Sequence, residues 1–414
     1  MSNFLTLVKF EYLKIFKSKF NMIFIVALFG LMIFLSYNDI SNIYFSVQTE
    51  DGYENYSGVE AIQMYKEIGE SGTGEMNEQW LGTFYDDMQN DMDKNANNNA
   101  KYGTFYDIYY QIMSKYTVYS EGESENEQQS ASLSAISRED FIENFNADYK
   151  EVYKQVFKFY NYSEEKTEYL YNQIDEIEDP LYFGYTDGYT FFFNKQQEFA
   201  LMLLILISIL SANIFSSEYS LKTDTFLISS KNGKKSVALA KITCIFSLTT
   251  LIYLIITAMQ LITTQVVYGL EDGKTAYFLS TVFGKSFNDT TVLNVLIVKI
   301  LVSILVCLVF SIFGAMLSQL IKNQIATIIT LLTISFFPFV VESMISLDLT
   351  DLQNNIIALF PAYAQYDYKL FGNNLYMIGN TYLNNVFVVV ALYSVLAVAF
   401  TIITHINFKK HQVN

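Results

Sequence analysis

The sequence predicts an all-α polytopic membrane protein with six transmembrane helices, an N-terminal interfacial helix and a mostly helical extracellular domain. Three observations carry that prediction. Apolar runs recur along the 414 residues, and those on either side of residues 216–241 lack Asp, Glu, Lys and Arg for long enough to cross the membrane. Crossing ~30 Å of hydrocarbon at about 1.5 Å per residue takes about 20 residues. The net charge of −16 is unevenly spread: residues 38–195 hold 31 acidic and 10 basic residues, a net −21, so the rest of the chain sums to +5. Lysines also segregate, with twelve in the segments assigned to the inner side and three in the short outer loops. Short basic segments stay in the cytoplasm, whereas long inserts cross largely regardless of charge, so both termini are expected inside and the acidic insert outside a plasma membrane.

Taken in order, residues 1–21 place Phe4, Leu5, Val8, Tyr12, Ile15 and Phe16 at helical spacing among Lys9, Lys14, Lys17 and Lys19. This pattern predicts a cytoplasmic amphipathic helix lying in the inner interface. Residues 22–37 form a short first span, and because no small-x-small cleavage site follows Leu35 it is expected to be retained. Residues 38–195 form the insert. Turn-rich patches at Glu50-Asp51-Gly52, residues 70–74, 94–99 and 121–130 separate segments of helical periodicity. The clearest is the stripe Phe141, Phe145, Tyr149, Val152, Val156 and Tyr160. Ser137 and Ser163 sit where helix N-caps belong. The two cysteines, Cys244 and Cys307, lie in apolar runs, so no disulfide is expected in the insert.

The second span is read at residues 199–215 and the third from Ile242, with a polar hairpin at 216–241 between them. A short outer loop, 271–288, leads to the fourth span near 291–317, which contains Lys299. A lysine near a span centre costs about 2.5–3.5 kcal/mol on insertion scales, so Lys299 is expected to snorkel from the outer third, with the protein interior as the other solution. An inner turn at 318–324 carries Lys322. The fifth span, 325–341, is expected to kink or end at Pro338, with Glu342 at the outer interface. Residues 347–385 are an outer connection, and residues 386–403 the sixth span, which ends inside with Lys409 and Lys410.

The hairpin has an internal order. Phe215, Glu218, Tyr219, Thr223, Leu227, Ser229, Ser230 and Lys241 resemble the pattern F-x-x-E-Y-x-x-x-T-x-x-x-L-x-S…K of the permease subunits of type-2 ABC exporters. The resemblance extends to the interfacial helix and all six spans, while the large insert departs from the family's compact members. It implies a coupling loop, with Glu218, Tyr219, Lys222, Thr223, Phe226, Leu227, Ser230 and Lys241 contacting or positioning a separate ATPase chain. Glu218 is expected to pair with a lysine of the interfacial helix or with Lys241. It further implies two ATPase copies holding ATP and Mg, a second permease subunit, identical or homologous, and an outer re-entrant or interfacial segment at 347–385. Outward transport of a peptide, antimicrobial or lipid-like amphiphile by alternating access would follow. The rival class is a non-transporting receptor or immunity protein whose insert binds a ligand.

Other chemistry is missing from the sequence. Gly273-Lys274-Thr275 and Gly284-Lys285-Ser286 lack the upstream glycine of a phosphate-cradling loop, where Tyr268 and Leu279 stand instead. No His-Glu-x-x-His or Asp-x-Asp-x-Asp-Gly motif occurs, and His405 and His411 lie near the inner C-terminus, so no metal, cofactor or catalytic residue is expected in this chain. The acidic run at 121–127 reads as a solvated loop, and no polybasic tract points to nucleic acid. Ser208, Ser211 and Asn213 on the second span and Gln260, Thr263 and Thr264 on the third are candidates to line a pathway. Bonding to their own backbone or packing helices is the competing role for such residues.

Overall fold

The computed structural model describes residues 2–49, 52–90, 101–103, 108–109, 111–113, 136–158, 162–220, 233–280, 290–345, 349–379 and 381–410. Helices dominate. In chain order the elements are α1 (Ser2–Lys17), α2 (Lys19–Ser41), the hairpin β1 (Tyr44–Thr49) and β2 (Gly52–Ser57), α3 (Val59–Ser71), β3 (Gly74–Glu75), α4 (Glu78–Asn90), α5 (Arg138–Phe157), α6 (Glu164–Asp175) and β4 (Tyr182–Phe183). The long helices α7 (Asp187–Ser220), α8 (Gly233–Val267), α9 (Val292–Ile321) and α10 (Gln324–Ile345) follow. The chain closes with α11 (Asp351–Ala358), α12 (Asp367–Leu370), the hairpin β5 (Leu375–Ile378) and β6 (Thr381–Asn384), and α13 (Asn385–Lys410). Among the described residues six helices, α2, α7, α8, α9, α10 and α13, are long and apolar enough to cross a membrane, as the sequence predicts, and the chain is a multi-pass membrane protein. It divides into two compact units, one of residues 1–37, 193–262 and 297–414 and the other of residues 38–192 and 263–296.

The first unit is built around α7. Leu203, Leu204, Ile207, Leu210 and Ile214 pack with Cys244, Ile245, Leu248 and Ile252 of α8 and Cys307 and Phe310 of α9. Helix α7 is largely enclosed by protein, while α2 and α13 leave most of their apolar surface uncovered. Close helix approach depends on small residues. A Cβ built on Gly314 would sit against Ser211, 2.8 Å from its Cβ. Gly314→Val is therefore expected to cost about 1–3 kcal/mol by overpacking, seen as a lowered unfolding midpoint of the detergent-solubilised protein. One turn further along α9, the Ser318 hydroxyl donates to the carbonyl of Ala212 at 2.6 Å and accepts from the N–H groups of Phe215 (3.2 Å) and Ser216 (2.9 Å).

Pro338 does not end the fifth span, because α10 runs through it to Ile345. Membrane helices tolerate proline where neighbours re-satisfy the freed backbone groups. The connection between α10 and α13 is a folded segment. Thr350 and Gln353 cap α11 reciprocally, Asn355 Nδ2 donates to the Leu375 carbonyl at 2.7 Å, and Tyr376 OH donates to the Asn355 carbonyl at 2.7 Å. The β5–β6 hairpin turns through Gly379 at φ 64°, a conformation that suits glycine in a two-residue turn.

In the second unit the α5 stripe is buried as expected at Phe141, Phe145, Tyr149 and Val152. Tyr160 lies outside the described residues, as does the side chain of Val156. Ring contacts run from Trp80 to Phe84, Phe141, Phe145, Tyr149, Tyr153 and Phe278, with successive centroids 5.4–6.3 Å apart. Ser137 Oγ accepts from the Asp140 N–H and Ser163 Oγ from the Lys166 N–H, so both predicted caps form. The loop after α8 belongs to this unit. Its Asp272 accepts from Tyr182 OH (3.0 Å), the Tyr185 N–H (2.9 Å) and Thr73 Oγ1 (3.3 Å). Burial, together with Asp272, pushes the Tyr182 phenol up to about 12. The predicted turn-rich patches at 94–99 and 121–130, with the acidic run, fall outside the described residues.

Candidate functional site: a buried charge cluster

Helix α1 presents Glu11 on the face it shares with Val8, Tyr12 and Ile15, and these apolar neighbours pack toward the core of the first unit. Glu11 is thereby carried inward to 6 % exposure. Glu218 lies near the end of α7 and Lys241 in the third turn of α8, with the 216–241 hairpin between them. Lys241, wholly buried, meets Glu218 at 2.7 Å and Glu11 at 3.1 Å and donates to the Ile214 carbonyl at 2.7 Å. An ammonium has three protons, and here each has an acceptor. Lys14, half exposed, bridges the same carboxylates at 2.8 Å each. Burial lowers the Lys14 pKa, but attraction to Glu218 and Glu11 outweighs it and holds the group above the usual lysine range.

The two carboxylates and two ammoniums cancel. Such a set is costly to break, because each charge depends on the others for its solvation. It joins α1, α7 and α8 at one point. Tyr12 OH adds a bond to Ser247 Oγ of α8 at 2.7 Å, and Lys241 Nζ lies 5.3 Å from the ring centre of Phe215. Tyr219, half buried, has Lys322 Nζ 5.3 Å from its ring centre.

Of the residues singled out in the hairpin, Glu218 and Lys241 come together, and Glu218 takes both expected partners. Lys222, Thr223, Phe226, Leu227, Ser229 and Ser230 lie outside the described residues. Glu11 escapes the sequence reading, although its place between Val8 and Ile15 on the apolar face is the available signal. The pathway candidates scatter. Ser208 and Ser211 are buried and donate to the carbonyls of Leu204 and Ile207, the backbone-bonding role. Asn213 is half buried beside α1. Gln260 is buried with neither amide atom bonded among the described residues. Thr263 and Thr264 belong to the second unit, where the Thr264 hydroxyl is buried without a bonded partner among the described residues.

Lys299 corrects an expectation. It is wholly buried and pairs with Asp367 of α12 at 2.9 Å, with the Phe193 ring centre 5.5 Å away, so it turns inward instead of snorkelling. Gln197 Nε2 donates to the same Asp367 oxygen. A counter-charge supplied by the folded connection between α10 and α13 removes the need to reach water. Nearby on that connection, Lys369 meets Glu342 at 3.1 Å and Tyr363 OH bonds the same carboxylate. His405 is half buried and His411 lies outside the described residues, within which no group of three or more His, Cys, Asp or Glu could hold a metal ion.

Fold and cluster together define a multi-pass membrane protein whose N-terminal helix and second and third membrane helices are fastened at one buried point. The chain belongs to the family described as protein of unknown function (DUF2705), whose sequence profile matches residues 159–413. No curated protein matches it.

Proposed function

We propose that this chain is the membrane-spanning permease subunit of an ATP-driven ABC exporter, working with a separate ATPase chain and a second permease. The observation that supports it is the position of the charge cluster. Both ends of the 216–241 hairpin, at Glu218 and Lys241, are tied to each other and to α1 through ion pairs of 2.7–3.1 Å. A push delivered to such a loop by an ATPase would move α1, α7 and α8 as one body, which is what coupling requires. In this reading the hairpin faces the cytoplasm, where its five lysines favour an acidic rim on the partner. The insert, at −21, faces outward and suits a cationic amphiphile as cargo.

Copurification tests the assignment. The tagged full-length chain should carry an ABC ATPase through purification, and Phe226→Asp with Leu227→Asp should release it. Glu218→Gln should keep the ATPase bound while uncoupling hydrolysis from transport. A chain that purifies from its native membrane without any ATPase would instead favour the receptor or immunity reading.

A further inference from the structure

Helices α9, α10 and α13 part around an apolar groove of about 310 Å³, all of it within the first unit. Phe310 and Phe313 of α9, Ile334 of α10, and Leu396 and Phe400 of α13 line it, and Ile356 of α11 reaches it with the Leu359–Pro361 segment that follows. Tyr393 carries the one polar side-chain atom of the lining, and that hydroxyl is already given to the Leu359 carbonyl at 3.0 Å. Two turns further along α13, the ring centres of Phe400 and Phe313 lie 4.9 Å apart. The membrane-crossing part of α13 is Asn385–Phe408, which puts Tyr393 and Phe400 roughly 12 and 22 Å along it from Asn385. The groove is therefore at the level of the hydrocarbon, not of the headgroups.

What can fill it follows from size, chemistry and surroundings. Water needs two to four polar partners, and this lining offers none that is free. A helix is too thick: even two turns, a cylinder roughly 10 Å wide and 11 Å long, would need more than twice the volume. The groove is also open to the outside, since Ile356 is itself exposed, and Phe337 of α10 with Val395 and Val398 of α13 continue an uncovered apolar surface along the same helices. On a multi-pass membrane protein that surface meets lipid, so the groove is continuous with the lipid interface. Only a slender apolar chain satisfies all three conditions. Its gain is one of packing, because lipid tails are as apolar as leucine and an unfilled groove forfeits dispersion contacts along its walls.

We propose that the groove is a binding site for one acyl chain of a membrane lipid, held between α9, α10, α11 and α13. The site selects for a tail and not for a headgroup, because every side chain that lines it is apolar or has its polar atom engaged. It stands apart from the exporter reading, since it needs only the membrane location of these helices.

Photolabelling of the full-length protein tests it, in phosphatidylcholine vesicles doped with a phosphatidylcholine that carries a diazirine halfway along one acyl chain. Labelled residues are read by peptide mass spectrometry. Leu396 and Phe400 are half-buried, whereas Val395 and Val398 on the same helix are 66 % and 61 % exposed and do not line the groove. Lipid that merely passes over the surface labels in order of exposure, valines first. A seated chain reverses that order, with Leu396 and Phe400 labelled about fivefold more than the valines, the factor that about ten additional close atom pairs provide. Leu396→Trp, which fills the groove from one wall, should cut labelling of Phe400 and Phe313 about as much and leave the valines unchanged. Ile334→Trp should do the same from the α10 side. Labelling in order of exposure in the unaltered protein would overturn the proposal. So would undiminished labelling of Phe400 in both tryptophan variants with normal unfolding transitions. Lining residues left unlabelled while the valines react would also overturn it and assign the groove to a side chain of another protein.

Discussion

Lys241→Met should lower the stability of the detergent-solubilised protein by about 3–5 kcal/mol, the cost of removing one partner from a buried ion pair. The size follows from what the lysine leaves behind. Glu11 and Glu218 are each 6 % exposed, and without Lys241 they would lose their buried cation and keep the half-exposed Lys14. The Ile214 carbonyl would lose its donor as well. Combining Lys241→Met with Glu11→Gln and Glu218→Gln should recover much of the loss, because the burden lies in uncompensated charge, not in missing volume. Thermal unfolding followed by tryptophan-independent means, such as loss of monodisperse protein on heating, reads the difference, since the chain holds one Trp and it lies in the second unit. An unfolding midpoint for Lys241→Met equal to that of the unaltered protein would remove the cluster as the fastener of α1, α7 and α8.

Asp367→Asn should be nearly as damaging, again by about 3–5 kcal/mol, since it strands a wholly buried Lys299. The neighbours offer little relief. The Phe193 face is a weak substitute for a carboxylate, and Gln197 points its amide N–H, a donor, at the same Asp367 oxygen, so it brings no counter-charge. Lys299→Met combined with Asp367→Leu should return most of the stability. If the single change and the double change melt alike, the pair contributes nothing that its packing does not.

The two ion-pair sets are not equally legible in the sequence, and the reason is physical. Glu218 and Lys241 flank one hairpin and so fall in one recognisable pattern, which makes their pairing an expectation. Lys299 and Asp367 are 68 residues apart, and nothing in a hydropathy profile says that the connection between α10 and α13 folds back to supply a counter-charge. Length and polarity locate all six membrane helices because lipid imposes that demand segment by segment. The same rule is silent on the loop after α8, which reads as a short connection yet supplies Asp272 and Phe278 to the second unit. The β1–β2 hairpin is also absent from the sequence reading, although Tyr44 exposed and Phe45 buried show the two-residue alternation of a strand. Residues 44–57 stand out in the sequence only by their turn signal, and a hairpin consists of two short strands around one such signal.

The bond between Ser318 and α7 bears on how that helix could transmit force. Two consecutive amide groups, at Phe215 and Ser216, are answered by a hydroxyl on α9, half a turn to one turn before Glu218. The turn of α7 that leads into Glu218 is therefore not free to unwind or tilt on its own account. Its resistance to bending is borrowed from a neighbour, so a torque applied at Glu218 is shared with α9 before it reaches the enclosed middle of α7, and the helix behaves at that point less like a rod than like a beam clamped near its loaded end.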